Sequence, residues 1–337
     1  MTLPSPVPDL PRVGVELELL APRGRTRRDL ALALAGPGGR VEAWLHPDTE
    51  PSLVPGTPVF DNLTLAFRAV DARGVEVASC VDDLTLQADL DRDALPLAGW
   101  WRVVSDDRRL LHLVRRHGRA DQGPMGALAP LAALFGVQVE AHEGGLLRVR
   151  DPDGSPVALA APLPGERWRP CEVVTPPLPP GSAEALHAAL EARLAPARAL
   201  GFTVPVEAAV HLHLDAGPLR DTAVFAAVVR TLEEALPALK QRLGSNPRNR
   251  RRGDWPAALR ELVRDAAFLA SPWPVAQARL QALGLSKYQD INLRNVVHEV
   301  PGKPTLEVRI LPGAIHADPV VAALQDVVAL LRPLGAC

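Results

Sequence analysis

The sequence predicts an α+β protein built on a largely antiparallel sheet, with helices over one face and the other face open. Three observations carry that expectation. Short strand-like stretches alternate strictly between polar and apolar residues, as half-buried strands do. Amphipathic helical segments are interspersed with them, but without the regular spacing of βαβ units. No segment repeats another, so a solenoid or propeller is not expected.

Taken in order, Val13-Gly14-Val15-Glu16-Leu17-Glu18-Leu19 is the first strand. Its apolar residues lie on one face, and Glu16 and Glu18 on the other. A charged loop follows, and Thr26 caps a helix to about Leu34 that Gly36-Pro37-Gly38-Gly39 terminates. Residues 40–160 alternate strand-like pieces (Asn62–Phe67, Val75–Val77, Leu84–Leu86) with turns such as Ala72-Arg73-Gly74. Leu110–Arg116 and Leu128–Leu134 read as short helices, and Leu146–Val149 with Val157–Ala161 as a hairpin around Asp151-Pro152-Asp153-Gly154. Cys171-Glu172-Val173-Val174 is a strand, closed by a proline-rich coil at 176–181 whose prolines cannot donate to a ladder. Ser182 caps a helix to about Leu200, and a strand covers about 206–214, with Glu207, His211, His213 and Asp215 on its polar face. Asp221 opens a long helix in which Val224, Val228 and Leu232 recur at fourfold spacing. Asp254 and Pro256 open another, and Asp318 and Pro319 serve as N-cap and first residue of the last.

The bulk numbers exclude several classes. With 337 residues, 47% hydrophobic and 23% charged, the chain suits one large globular domain or two moderate ones. A net charge of −2 gives no global basic field for nucleic acid or an anionic membrane. Cys80, Cys171 and Cys337 are odd in number and far apart, so neither a disulfide framework nor a thiolate zinc site is expected. No apolar run is long enough to span a bilayer, and Met1–Pro6 lacks the pattern of a signal peptide. A cytoplasmic location is therefore expected.

Chemistry concentrates on the polar faces of the strands. Glu16 and Glu18 read either as the solvent face of an edge strand or as ligands of a cation that relieves their repulsion. His211 and His213 project toward one point, as two strand imidazoles holding a metal or a phosphate do, or they are two satisfied surface histidines. Glu307 and Arg309 form either a cross-strand ion pair or a division of labour, with the acid on a cation and the guanidinium on a phosphoryl oxygen. The basic run 246–252, with Arg248 and Arg251, reads as a solvated loop or as a clamp for an acidic substrate. Lys287-Tyr288-Gln289-Asp290-Ile291-Asn292-Leu293 is a weak signal by itself, and Asp82-Asp83 and Asp106-Asp107 read as turn residues. There is no GxxxxGK[ST], no GxGxxG after a strand, no GxSxG and no HExxH.

In order along the chain, five of these pieces resemble the landmarks of the amidoligase family, within the glutamine synthetase and glutamate–cysteine ligase superfamily. They are Gly14–Glu18, Cys171–Leu178, Val210–His213, Lys287–Leu293 and Thr305–Arg309. The resemblance implies one catalytic domain over 1–337, with a bent antiparallel glutamine-synthetase-like sheet, helices on its convex face and ATP with metals on its concave face. Residues 24–165 would be a long insertion or cover within it. It implies two magnesium ions, or manganese in their place, with Glu18 and Glu172 on one and Glu16, His211 and Glu307 on the other. His213 and Arg309 would contact the ATP phosphates, Arg309 stabilising the transferring phosphoryl group, with Lys287 and Asn292 also on the nucleotide. Arg248 and Arg251 are the candidate substrate contacts, and a further site aspartate would be Asp107 or Asp153.

The expected activity is an ATP- and magnesium-dependent carboxylate–amine ligase that forms an amide through an acyl phosphate, on a small molecule or a peptide. A zinc hydrolase using the same HxH and acids, a phosphagen-kinase-like phosphotransferase, and an inactive nucleotide-binding protein are the alternatives. Small-molecule or peptide carboxylates and amines are the expected partners, with no nucleic acid and no membrane. The oligomeric state, the acid and the amine are not legible.

Overall fold

The computed structural model describes residues 9–51, 59–83, 86, 88–89, 95, 99–163, 170–300 and 302–336. Its elements begin with strand β1 (Val13–Leu20), helix α1 (Arg27–Ala35) and strands β2 (Arg40–Pro51), β3 (Val59–Val70), β4 (Glu76–Asp82) and β5 (Trp101–Val104). Helices α2 (Arg108–His117) and α3 (Gly123–Phe135) precede β6 (Glu140–Ala141), β7 (Leu147–Arg150), β8 (Pro156–Pro162) and β9 (Pro170–Val174). Then come α4 (Ala183–Ala199), β10 (Ala209–Asp215), α5 (Thr222–Leu243), α6 (Ala257–Leu262), α7 (Ala266–Leu269) and α8 (Trp273–Ala282). The chain closes with β11 (Ile291–Asn292), α9 (Arg294–Val297), β12 (Thr305–Pro312) and α10 (Ala317–Leu331). Strands and helices are thus mixed, and among the described residues the strand pairs of known register are antiparallel.

The chain divides into two compact units. The first comprises Met1–Leu17, Thr175–Leu194 and Glu207–Cys337, and the second Glu18–Val174 and Ala195–Val206.

In the first unit the strand order is β1-β10-β12-β11. The alternation read from the sequence sets one face of this sheet: Val13, Val15, Val210, Leu212, Leu214, Leu306, Val308 and Ile310 are all buried. Helix α5 packs on β12 and α10 on α5, with Phe225, Val228, Leu232, Leu324 and Val327 filling the layer. Asp221 accepts from the backbone N–H groups of Ala223 and Val224 and so caps α5, as its sequence signal indicated. The coil after β9 is fastened to β1 by residues flanking the prolines. Val15 N–H donates to Thr175 Oγ1, Thr175 N–H to the Val15 carbonyl, and Leu178 and Val13 exchange both backbone bonds.

Helix α10 corrects one expectation. It begins at Ala317 after an N-cap at His316, so Asp318 lies in its first turn and is not the cap. The open Ala317 N–H is satisfied from elsewhere, by the Glu191 carboxylate of α4 at 2.8 Å. The strand read around 206–214 starts later than expected, because β10 begins at Ala209; Asp215 is its last residue and accepts from the Gly217 N–H.

In the second unit the order is β9-β4-β3-β5-β8-β7-β6, with β2 along the other edge of β3. Twelve residues of β2 pair with twelve of β3, whose far edge is shared between β5 at Asn62–Thr64 and β4 at Phe67–Val70. Helix α1 packs on β3 and β4, and α3 on β7, bringing Leu30, Leu34, Leu65, Phe67, Leu128, Leu131 and Val149 together. Thr26 and Asp29 form a capping box at α1, and Gly36, at φ 67°, ends it. The expected hairpin is β7–β8 and the expected short helices are α2 and α3. The strand expected at Leu84–Leu86 lies largely outside the described residues, as do Met1–Pro6 and Cys337.

Arg27 is buried in this unit. It donates through Nε and Nη2 to the Leu65 carbonyl, lies 3.7 Å from the buried Asp82 carboxylate, and its guanidinium stacks 4.4 Å over Trp100. Asp82 and Asp83 are therefore not turn residues. Both are buried at the end of β4, where Asp82 balances a buried cation.

Candidate active site

Register decides which side chains meet. Across the first unit Gly14 of β1 faces His213 of β10, His213 faces Glu307 of β12, and Glu307 faces Asn292 of β11. One row of four strands thus brings together residues almost three hundred positions apart. The next row places Glu16 opposite His211. On the β12 side of His211 the ladder slips by one residue between Val210 and Leu212, a bulge of the kind that re-aims side chains at functional sites. Gly14 supplies the clearance for this row, since a Cβ there would lie 3.3 Å from His213 Cβ.

The contacts are polar, buried and reciprocal. His211 Nδ1 is 3.0 Å from Glu16 Oε2 and 3.7 Å from Glu307 Oε1. Asn292 Nδ2 donates to Glu307 Oε2 at 2.6 Å, and Arg309 Nη1 donates to Glu307 Oε1. Lys303 Nζ donates to Glu16 Oε1 at 3.0 Å. His213 Nδ1 is 3.0 Å from Thr305 Oγ1, which also accepts from Asn295 Nδ2 at 3.4 Å. Assigning the His213 proton to Nδ1, so that it donates to Thr305, turns the Nε2 lone pair inward. That nitrogen is buried 3.1 Å from Glu16 Oε1, and in this tautomer it has no proton to donate, so it stands without a hydrogen-bond partner.

Both carboxylates are held ionised. Burial acts to raise the Glu16 carboxyl, but His213, Lys303 and the hydrogen-bonding contact with His211 outweigh it, holding the group well below the usual carboxylate range. Burial also acts to raise Glu307; Arg309 and His213 outweigh it, with Glu16 opposing them and His211 assisting, so its carboxyl too lies low. Glu16, His213 and Glu307 each offer one ligand atom within 4.8 Å of the others. Two carboxylates and one imidazole suit a hard divalent cation, for which Nε2 is the nitrogen this tautomer leaves without a proton. The imidazole in this group is His213, and His211 also offers a ligand atom within 4.8 Å of one from Glu16.

The second unit holds a cluster of its own. Glu18, on the last part of β1, Asp83 after β4, and Glu172 of β9 offer oxygen atoms within 4.8 Å of one another. Glu172 faces Val81 across the β4–β9 ladder, one turn of the pleat from Asp83. Asp83 is 5% exposed and Glu18 fully buried. Asp83 is the functional candidate the sequence reading passed over. The available signal was an acid pair directly after the apolar stretch Ala78–Val81, which makes strand-end acids as reasonable as turn acids.

The other sequence candidates lie apart from these groups. Asp107 caps α2 through the Arg109 N–H and pairs with the Arg109 side chain, and Asp153 is exposed in the β7–β8 turn. Arg248 and Arg251 stand on the loop between α5 and α6, Arg248 exposed, with their backbones turned by Asn246 and Asn249. Lys287 is exposed, its ammonium 5.1 Å over the Tyr288 ring. Asp290 of the same motif is buried, bonded to Lys240 at 2.6 Å and facing Arg252 at 3.4 Å, and its carbonyl accepts the Arg309 N–H. Among the described residues, no helix is long and apolar enough to cross a membrane.

A family model described as "Putative amidoligase enzyme" matches residues 10–331. Neither the curated proteins nor the solved structures return a match.

Proposed function

Because the chain belongs to the amidoligase family, an enzyme family of ligases, we propose that it is an ATP- and magnesium-dependent carboxylate–amine ligase. The observation that supports this most is the row of two ionised carboxylates and an open imidazole with two cations, Arg309 and Lys303, at its margin. Acids alone would suit a cation. Acids with adjoining guanidinium and ammonium groups suit a cation and a phosphate together.

In this reading Glu16, His213 and Glu307 hold one magnesium, and Glu18, Asp83 and Glu172 another. Magnesium, when bound, screens the phosphate oxygens and so eases attack on phosphorus. His211 and Asn292 fix the two carboxylates, and Arg309 faces the charge that develops on the transferring phosphoryl group. An oxygen of the acid substrate attacks the γ-phosphorus and ADP leaves. The amine nitrogen then attacks the acyl carbon of the mixed anhydride, loses a proton, and inorganic phosphate departs with the C–O electron pair. Neither half-reaction needs a covalent bond to the protein. The chain's work is positioning and charge neutralisation.

The test is ATP turnover with pooled amino acids, polyamines and peptides, with ADP and phosphate quantified and products weighed by mass spectrometry. The expected result is a product lighter by one water than the sum of its acid and amine. ADP with a phosphorylated acceptor and no amide would indicate a phosphotransferase, and no turnover with any pool would remove the ligase reading. Glu307→Ala and His213→Ala should each lose magnesium–ATP binding in calorimetry.

A further inference from the structure

Lys303 and Arg309 are both paired with a site carboxylate, but they are built differently. Arg309 is buried on β12 against Glu307. Lys303 stands in the loop before β12, and its side chain is 55% exposed while its ammonium reaches Glu16 Oε1. The loop backbone is pinned on both sides of it. Lys303 N–H donates to the Val300 carbonyl, Thr305 N–H donates to the Lys303 carbonyl, and Ala216 N–H donates to that of Pro304. The side chain can therefore turn while the chain that carries it stays fixed.

We propose that Lys303 is a resident counter-ion that occupies Glu16 in place of the metal and transfers to the nucleotide phosphate when metal and nucleotide load together. The inference rests on the ligase reading above. Glu16 belongs to the group with His213 and Glu307, its Oε1 lies 3.1 Å from His213 Nε2, and that same oxygen is the one Lys303 holds. An ammonium and a divalent ion cannot share it without repulsion. A positive charge about 6 Å from a divalent ion, screened much as water screens it, weakens binding by roughly tenfold. An incoming triphosphate reverses the sign, because it gives the ammonium a better partner and leaves Glu16 to the metal. Lys303 thereby makes metal and nucleotide binding mutually favourable, and such coupling is reciprocal by thermodynamic necessity. The exposed stem lets the same side chain serve both states, which the buried Arg309 cannot do.

The experiment titrates the full chain with manganese(II) alone, and then with manganese in the presence of a non-hydrolysable ATP analogue, by calorimetry and paramagnetic relaxation. Lys303→Met should bind manganese alone roughly tenfold more tightly than wild type. It should also show weaker analogue binding and a diminished coupling between the two. Lys303→Arg, which keeps the charge, should behave as wild type, and added salt should narrow the difference between Met and Lys. Wild-type manganese affinity in Lys303→Met would overturn the counter-ion role and leave the metal site standing. Failure of both proteins to bind manganese under any condition would overturn the role and the metal reading together.

Discussion

Thr305→Val tests the orientation of His213 at minimal cost to the fold. Valine keeps the β-branched shape that a strand favours and deletes one hydroxyl. That hydroxyl is 3.0 Å from His213 Nδ1 and accepts from Asn295, so its loss leaves a nitrogen of the buried His213 ring and an amide without that partner. Leaving such a group unsatisfied costs about 1–3 kcal/mol. At about 1.4 kcal/mol for each factor of ten, the corresponding loss of affinity is roughly 5- to 150-fold. Outer partners of metal-bound histidines are worth about 10–100-fold in metal affinity, an independent figure of the same size. Calorimetry with manganese on wild type, Thr305→Val and Thr305→Ser should show the loss in valine and its recovery in serine. Equal affinity in all three would refute the claim that Thr305 sets the Nε2 lone pair of His213.

Three further outcomes follow from the packing. Arg27→Met removes the cation 3.7 Å from buried Asp82 and should cost about 3–5 kcal/mol in urea denaturation; a cost below about 1 kcal/mol would show that Asp82 is balanced otherwise. Burial pushes the Cys80 thiol up to about 12, so it stays protonated at pH 8.5. Its iodoacetamide labelling, followed by peptide mass mapping, should be slow in native protein and fast in urea. The raised value also means that its contribution to stability is present below about 9, the unfolded value, and is lost as pH rises toward 12. Glu191→Ala withdraws the carboxylate that satisfies Ala317 N–H and should cost about 0.5–2 kcal/mol, with faster hydrogen exchange confined to the first turn of α10.

The strands that carry the site were legible because alternation is a local signal: β1, β10 and β12 each show it within seven or eight residues. The caps at Thr26 and Asp221 were legible for the same reason, since the groups they satisfy lie two or three residues away. What escaped is what distant residues supply. The start of α10 is completed by Glu191, 126 residues earlier, so the local Asp318-Pro319 signal misplaced it by two positions. Strand β2 carries Pro47 and Pro51 and mixes polar residues on both faces, and only its pairing with β3 makes it a strand. Asp83 looked like a turn residue because its partners, Glu18 and Glu172, come from other strands. That His213 faces Glu307 while His211 faces Glu16 depended on register, and no pattern within β10 separates the two histidines.

The row that runs from Gly14 through His213 and Glu307 to Asn292 has a consequence for how the protein is made. On the ribosome, β1 emerges well before its partner β10, which begins only at Ala209. At about 5–20 residues per second, roughly ten to forty seconds separate the two. During that interval an apolar strand face and an unpaired edge wait without their partner, the condition that invites association with other nascent chains. The glutamates on the opposite face keep that waiting segment charged, so Glu16, the buried acid that later meets His211 and His213, first serves to hold the chain in solution.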